Sequence, residues 1–424
     1  MCDLVSFSPH ECRQERDKML SCGIDTHLKM HQVEVQNERR KVLWRGQIGN
    51  NRTEFNELLE KLRTIERSNS DTICGIFINP TGTYHVPIRH FLESNGYVVY
   101  YVDPRVTDSA RTASNLGKVK SDNVDSHLLA SAPWDNEKAM ERRPHVRDSV
   151  SSLTRLLESV KKNITRVGNL ISADLACVFP EFLNMFPDIM SKTSLAMLEK
   201  YSIPGNILKS GLGDVLDTMS KYSRNHYKRE DAERILDLAK NSIGIPDVSG
   251  VYAFRIRENV KRLKAELNAI KEIEAEIIDA TKDSEDVKRI DDIDGIGPMN
   301  AAAIVSEIGP IEQFASALKL QSFGGRVPRM KGSGGKYYAA GSSKVRNPYL
   351  SNAAYESAVS LVNHRSREFL DIFNREIGRG KKPVQAYNIV GKRLLYRVFF
   401  IMKNHKPYRQ RLSGQGEGVS STGS

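Results

Sequence analysis

Two groups of side chains in this chain have types and spacings that suit phosphate chemistry. The first is a set of separated carboxylates: Asp25, which directly follows Gly23-Ile24, and the pair Asp122 and Asp125 in Lys120-Ser-Asp122-Asn-Val-Asp125. Asp25 sits on a segment that reads as a central strand, where a carboxylate is costly to bury without a cation or donors. Asp122 and Asp125 stand three apart where a helix begins, so both lie on one face, and oxygen ligands so arranged suit Mg2+ or Mn2+. Acid enrichment that complements the helix dipole is the plainer account of that pair. The second group is Pro328-Arg329-Met-Lys331-Gly-Ser333-Gly334-Gly335-Lys336, a hydroxyl among glycines and cations. Glycines clear the way to Ser333 and free backbone amides to donate to phosphate oxygens, while Arg329, Lys331 and Lys336 can neutralise charge developing on phosphorus. Gly/Ser segments are more often linkers, and Ser342 and Ser343 are nearby rivals. An acid-held cation together with a serine aimed at phosphate is a combination few chemistries need.

The elements that must position these groups are legible from periodicity. Short strands are expected over about 22–26, 31–36 and 41–45, with Val33 and Val35 alternating with polar residues. A helix carrying Phe55, Leu58, Leu59 and Leu62 follows, then an apolar strand at 73–78 ending in Asn79-Pro80-Thr81-Gly82. A helix with Ile88, Phe91 and Leu92 and a strand over 97–102 complete an α/β domain with a mixed sheet. From about residue 148, Val150, Leu153, Leu157, Val160, Ile164 and Val167 recur at helical spacing. Ile256, Val260, Leu263, Leu267, Ile270 and Ile277 fit a heptad interrupted at Glu274. That stripe buries itself either in an intramolecular helical hairpin or in an intermolecular coiled coil. Asp294-Gly295-Ile296-Gly297-Pro298, followed by Ala301, has the spacing of a helix-hairpin-helix unit, whose second helix exposes amides to a phosphate; a structural αα-hairpin needs the same glycines.

The chain has 424 residues, enough for two or three domains, and a formal net charge of +11. Between Arg326 and Arg409 there are eighteen Lys or Arg against four Asp or Glu, so the remainder is slightly acidic. A basic C-terminal part on a near-neutral body is the footprint of a nucleic-acid binder. Gly295, Gly297, Arg329, Lys331, Gly334, Lys336, Lys344 and Arg346 are the candidate contacts. Five scattered cysteines without a Cys-x-x-Cys pair argue against a disulfide framework or zinc knuckle. The absence of a long apolar run and of an apolar N-terminal core excludes a membrane protein and leads us to expect a cytoplasmic one.

Taken in order, Gly23-Ile24-Asp25, Pro80-Thr81-Gly82-Thr83-Tyr84, Asp122-x-x-Asp125, Gly295-Ile-Gly297-Pro298 and the stretch from Pro328 to Lys336 resemble the DEDD transposases of the insertion sequence one-ten family, relatives of the Piv-type DNA invertases. The resemblance spans roughly residues 21–408. It implies an α/β RNase H-like (RuvC-like) domain over 21–147, a helical coiled-coil insertion over 148–284, and a mainly α C-terminal transposase domain with helix-hairpin-helix over 285–408. An extension over 1–20 and a tail over 409–424 are expected to be disordered. Asp25 matches the first acid, Asp122 and Asp125 the last two, and Ser333 the nucleophile of a phosphoserine intermediate, with Mg2+ or Mn2+ as cofactor. The implied partners are donor and target DNA, a structured noncoding bridge RNA whose loops pair with both, and further copies of the chain as a dimer or tetramer. One departure stands out: where the family has a Glu before the Pro/Ala-Thr-Gly element, this chain has Asn79. Asn offers a carbonyl oxygen to a metal but carries no charge and cannot act as a base. An active variant, a degenerate copy and a sequence altered to block catalysis all fit that substitution. A RuvC-like nuclease using metal-activated water and a catalytically silent RNA- and DNA-binding homologue are the competing readings.

Overall fold

In the computed structural model, the described residues are 19–79, 83–102, 107–108, 112, 122–135, 149–333, 336–342 and 346–408. The chain divides into two units, 1–146 and 147–424.

The first unit is built on a five-stranded mixed sheet of order β3-β2-β1-β4-β5. Its strands are β1 (Met19–Thr26), β2 (Met30–Asn37), β3 (Val42–Gly49), β4 (Thr72–Ile78) and β5 (Val99–Tyr101). The first three form an antiparallel meander, and β4 and β5 run parallel to β1. β1 already includes Met19 and Leu20, so the expected N-terminal extension through residue 20 ends sooner; residues 1–18 lie outside the described part.

Side-chain alternation along each strand separates two faces. Leu20, Cys22 and Ile24 of β1, Val33 and Val35 of β2, and Ile76 and Ile78 of β4 share one core with Phe55, Leu58 and Leu62 of α1 (Arg52–Asn69) and with Ile88 and Leu92 of α2 (His85–Ser94). The opposite face carries Ser21, Gly23 and Asp25 on β1, Gln32, Glu34 and Gln36 on β2, and Phe77 and Asn79 on and just after β4. It is covered by α3 (Asp122–Asp135), whose Leu129 and Ala132 pack with Phe77. At Gly23 the helix lies on the strand backbone itself: a Cβ there would stand 2.2 Å from Ser126 O and 2.3 Å from Ala130 N. Ser21 Oγ donates to Ala130 O at 2.5 Å.

Among the described residues, the second unit is helical apart from one hairpin. Its two long helices, α4 (Ser149–Val178) and α9 (Val251–Thr281), are bridged by α5 (Pro180–Met185), α6 (Lys192–Lys200), α7 (Pro204–Ser223) and α8 (Arg229–Lys240). Leu157, Val160, Ile164 and Val167 of α4 lie in one apolar cluster with Ile256, Val260, Leu263 and Ile277 of α9, and the two helices pack along each other. The heptad stripe is thus covered within the chain. The same cluster continues through α10 (Glu285–Asp291), α11 (Pro298–Ile308), α12 (Ala317–Phe323), α13 (Pro348–Asn363), α14 (Arg367–Gly378) and α15 (Pro383–Asn404), ending at Met402. Strands β6 (Pro328–Ser333) and β7 (Lys336–Ser342) form an antiparallel hairpin between α12 and α13. The stretch expected as an open Ser-Gly loop is therefore strand nearly to its tip.

Gly23 generates a stability prediction. Overpacking costs typically about 1–3 kcal/mol where neighbours can shift, and here the obstacle is helix backbone. Gly23→Val is expected to lower stability by at least about 2 kcal/mol, read as a lower denaturant midpoint at unchanged slope; an unchanged midpoint refutes the close contact.

Candidate active site

Two of the four expected metal-facing positions, Asp25 and Asn79, are brought together by the sheet, and Asp125 lies on the helix that covers the same face. Ile24 pairs with Ile78 across the parallel β1 and β4, so the residues that follow, Asp25 and Asn79, lie side by side at the carboxyl ends of neighbouring strands. Both sit on the face covered by α3. Thr26 Oγ1 donates to Asn79 O at 3.4 Å, which holds the two strand ends together. The helix runs antiparallel to β1: Ser21 meets Ala130, and Gly23 meets Ser126 and Ala130. Two strand residues advance about 6.6 Å and four helix residues about 6 Å, so Asp25 falls level with the first turn of α3, where Asp122 and Asp125 reside. Asp25, Asn79 and Asp125 are 7%, 8% and 7% exposed.

The donor set fits a hard divalent cation. Asn79 Oδ1 is buried with no hydrogen-bond partner among the described residues, which leaves a carbonyl lone pair beside a carboxylate. An orphaned acceptor costs about 1–3 kcal/mol, a cost that a cation at this position removes. Asp25 Oδ2 lies 3.1 Å from His27 Nε2, an exposed imidazole at the rim of the site. Among the described residues no three His, Cys, Asp or Glu side chains form a closed metal cluster; the amide of Asn79 is not one of those donor types.

Ser333 closes β6 and pairs with Lys336, the first residue of β7, so both flank the tip of the hairpin. Ser342 pairs with Pro328 at the opposite, root end. Arg329 and Lys331 lie along β6. Gly334, Ser343 and Lys344 lie outside the described residues, as do Pro80, Thr81 and Gly82. The root is firmly tied. Asn347 N–H donates to Phe323 O at 2.8 Å, and Asn347 Oδ1 caps α13 by accepting from Tyr349 N and Leu350 N. Asn347 Nδ2 donates at 2.7 Å to the buried Glu307 of α11, which also takes two 2.6 Å bonds from Arg155 of α4. Arg326 enters the root buried, donating to Asn388 Oδ1 and Ser351 O. Burial, and secondarily the charge of Arg346, pull its guanidinium down to about 10, so it stays charged at neutral pH.

The glycine turn joins α10 to α11. Gly295 has φ +94°, and a Cβ would lie 3.1 Å from Leu361 Cα, so glycine is required there. Gly297 is ordinary extended backbone at the N-cap of α11, and a Cβ on it would meet nothing within 4 Å. The start of α11 is thereby left open. Ala301 is fully buried.

Sequence reasoning missed the residues that hold these groups in place. Glu34 and Gln36 are the polar residues that alternate with Val33 and Val35, yet both are fully buried under α3. The alternation with Val33 and Val35 and the start of a helix at Asp122 are both legible in the sequence, but not that this helix lies over β2.

Comparison with known proteins accords with this geometry. Residues 22–180 match a DEDD family described as Transposase, and residues 287–373 match the family described as Transposase IS116/IS110/IS902 family. The first match contains the acid-bearing sheet from Cys22 onward and α3, and it implies an RNase H-like α/β fold and the use of a divalent metal; the second contains the glycine turn and the Ser333 hairpin. A mini-circle protein of Streptomyces coelicolor, provisionally named the transposase for IS117, is 22% identical over 344 residues, covering 79% of this chain and 82% of the relative. The transposase for insertion sequence element IS1111A of Coxiella burnetii is 29% identical over 178 residues, 42% of this chain and 45% of the relative. A 43.6 kDa protein of insertion element IS110 from Streptomyces coelicolor, named as uncharacterised, is 22% identical over 312 residues, 70% and 74% of the two chains. With both parts of the pattern matched in order on a sheet of the implied kind, the chain belongs to the IS110/IS116/IS902 family of transposases.

Proposed function

We propose that this transposase cuts and rejoins donor and target DNA through a covalent phosphoserine on Ser333, with Asp25, Asn79, Asp122 and Asp125 holding Mg2+ or Mn2+. The observation that carries the metal part is the buried, unpartnered Asn79 Oδ1 beside Asp25 at the end of the central strands. Bound there, the cation would act as a Lewis acid on a phosphodiester oxygen. Ser333 Oγ forms a bond to phosphorus as the P–O bond to one deoxyribose breaks. The serine proton is released and the departing oxygen ends as a free hydroxyl. Reversal on a new hydroxyl restores the phosphodiester and the serine, so bond energy is kept and no nucleotide cofactor is needed. Arg329, Lys331 and Lys336 neutralise the phosphate during both steps; Ser333 flanks the hairpin tip, whereas its rival Ser342 pairs at the root.

The acids belong to one unit and Ser333 to the other, so chemistry requires the two to meet, within one chain or between copies in a dimer or tetramer. The eighteen basic residues between Arg326 and Arg409, together with the open start of α11 at Gly297, support backbone contacts to nucleic acid. Sequence choice then rests on base pairing by a bridge RNA. The described helices include none long and apolar enough to cross a membrane.

Two substitutions test this. Ser333→Ala is expected to abolish covalent protein–DNA adducts on a denaturing gel while nucleic-acid binding stays within about twofold. Adducts that survive in this variant rule out the serine assignment, and cut DNA with free ends and no attached protein points to a water-using nuclease. Asn79→Glu adds a ligand charge and is expected to tighten Mn2+ binding and raise strand exchange by about tenfold or more. Inactivity of both forms with the cognate RNA supplied favours a protein that only binds nucleic acid.

A further inference from the structure

The helix bearing Asp122 and Asp125 is fastened to the sheet by a buried polar clamp. Glu34 of β2 has no solvent exposure, and an ion so buried costs several kcal/mol unless donors surround it. Three donors do. His127 Nδ1 lies 2.7 Å from Oε1, Gln36 Nε2 2.6 Å from the same oxygen, and Arg45 Nε 2.7 Å from Oε2. Burial pushes the Glu34 carboxyl up, but the bonds from His127, Gln36 and Arg45 outweigh it and hold the group below the usual carboxylate range.

An ionised Glu34 can only accept, so the hydrogen of this bond belongs to His127 Nδ1. Gln36 Nε2, 2.9 Å from that nitrogen, therefore donates elsewhere, to Glu34 and to His127 O at 3.3 Å. Gln36 Oε1 accepts from Ser131 Oγ at 3.1 Å. Strand residues two apart thus grip helix residues four apart, each pair lying on a single face of its element. His127 stands two residues after Asp125 and within the same helical turn. An apolar stripe tolerates small rotations and slides, whereas short bonds to a buried ion fix both angle and height.

We propose that Glu34 is a positioning residue that, through His127, sets the rotation of the first turns of α3 and hence the aim of Asp122 and Asp125 at the divalent cation. This inference rests on the metal reading given above. Glu34 itself stays on β2 and does not touch the cation. Functional sites lose performance when ligands drift by as little as about 1 Å, so a loosened clamp should register first as weaker metal binding.

Mn2+ binding to the full-length protein, followed by electron paramagnetic resonance without DNA, provides the test. Asp25→Asn and Asp125→Asn are expected to remove the bound signal. Glu34→Gln is expected to weaken binding about tenfold or more, in the range typical of outer-shell losses. His127→Asn, whose side-chain N–H can stand where Nδ1–H stood, is expected to recover most of the affinity, and His127→Gln is not. Wild-type affinity in Glu34→Gln overturns the proposal, as do equal affinities in the two His127 variants. Should Glu34→Gln fail to fold, as read by its melting curve, the two His127 variants decide the matter alone. Wild-type Mn2+ binding that ignores Asp25 and Asp125 instead overturns the metal reading, and the clamp's proposed role falls with it.

Discussion

The acid site depends on the contact between the backbone of β1 and the backbone of α3 at Gly23. Helices normally stand off a sheet by the thickness of two side-chain layers, about 10 Å. Here a missing Cβ removes one layer, and Ser126 O and Ala130 N approach to distances that any side chain would occupy. Only that approach brings short aspartate side chains of a helix within the neighbourhood of a strand-borne aspartate. A longer acid could bridge a wider gap, but with more rotamers to freeze and a less certain geometry. Ser21, two residues earlier, prolongs the close contact through its bond to Ala130 O. Asp25, two residues later, emerges at the strand end where the helix begins.

The same economy of side chains governs the second unit, by a different device. Glu307 is buried at the junction of α4, α11 and the root of the hairpin, and Arg155 and Asn347 both bond to it. Arg155 also lies over the Tyr349 ring, 4.3 Å from its centroid. The glycine-turn helix and the hairpin root are therefore held to one anionic centre and to the long helix α4. Arg326 adds a buried cation at the same root, kept by Asn388 and Ser351. The hairpin is thereby anchored through the residues that flank it, Arg326 before β6 and Asn347 after β7. In both units a buried ion sets orientation where apolar packing would set only proximity.

Period-two and helical patterns in the sequence were enough to find the strands of the sheet, α1, α2 and the start of α3, and the acids on them, because each of those segments buries one apolar face. Legibility failed where burial came from the partner and not from the residue. Glu34 and Gln36 carry the polarity of a surface, and only the presence of α3 above them makes them interior. Likewise the stripe from Ile256 to Ile277 has the same periodicity whether its cover comes from α4 of the same chain or from another molecule, and the choice of α4 is tertiary. The β6–β7 hairpin was hidden by composition: glycines at 332, 334 and 335 suggest a loop, while Tyr337 and Tyr338 opposite Gly332 and Lys331 supply the strand character. Gly23 is legible in the sequence only as a strand residue ahead of Asp25, and nothing local shows that a helix needs its space.

Asn79 gains meaning from this arrangement. Four acids within one cavity repel one another strongly before a cation arrives, and that repulsion is part of what makes the cation bind. Exchanging one for a neutral amide relieves the empty site and weakens its pull, so binding and stability shift in opposite directions. The amide keeps one acceptor oxygen, but on a side chain one methylene shorter than the Glu it stands for. Had the position drifted without constraint, a side chain with a satisfied hydrogen bond, or an apolar one, would have been less costly at 8% exposure than an amide whose Oδ1 meets no partner among the described residues. A buried acceptor on the residue next to Asp25 is an arrangement that a positive ligand would stabilise. Asn79 thus lowers the charge of the acid set by one while keeping an acceptor oxygen on the residue next to Asp25 across the sheet.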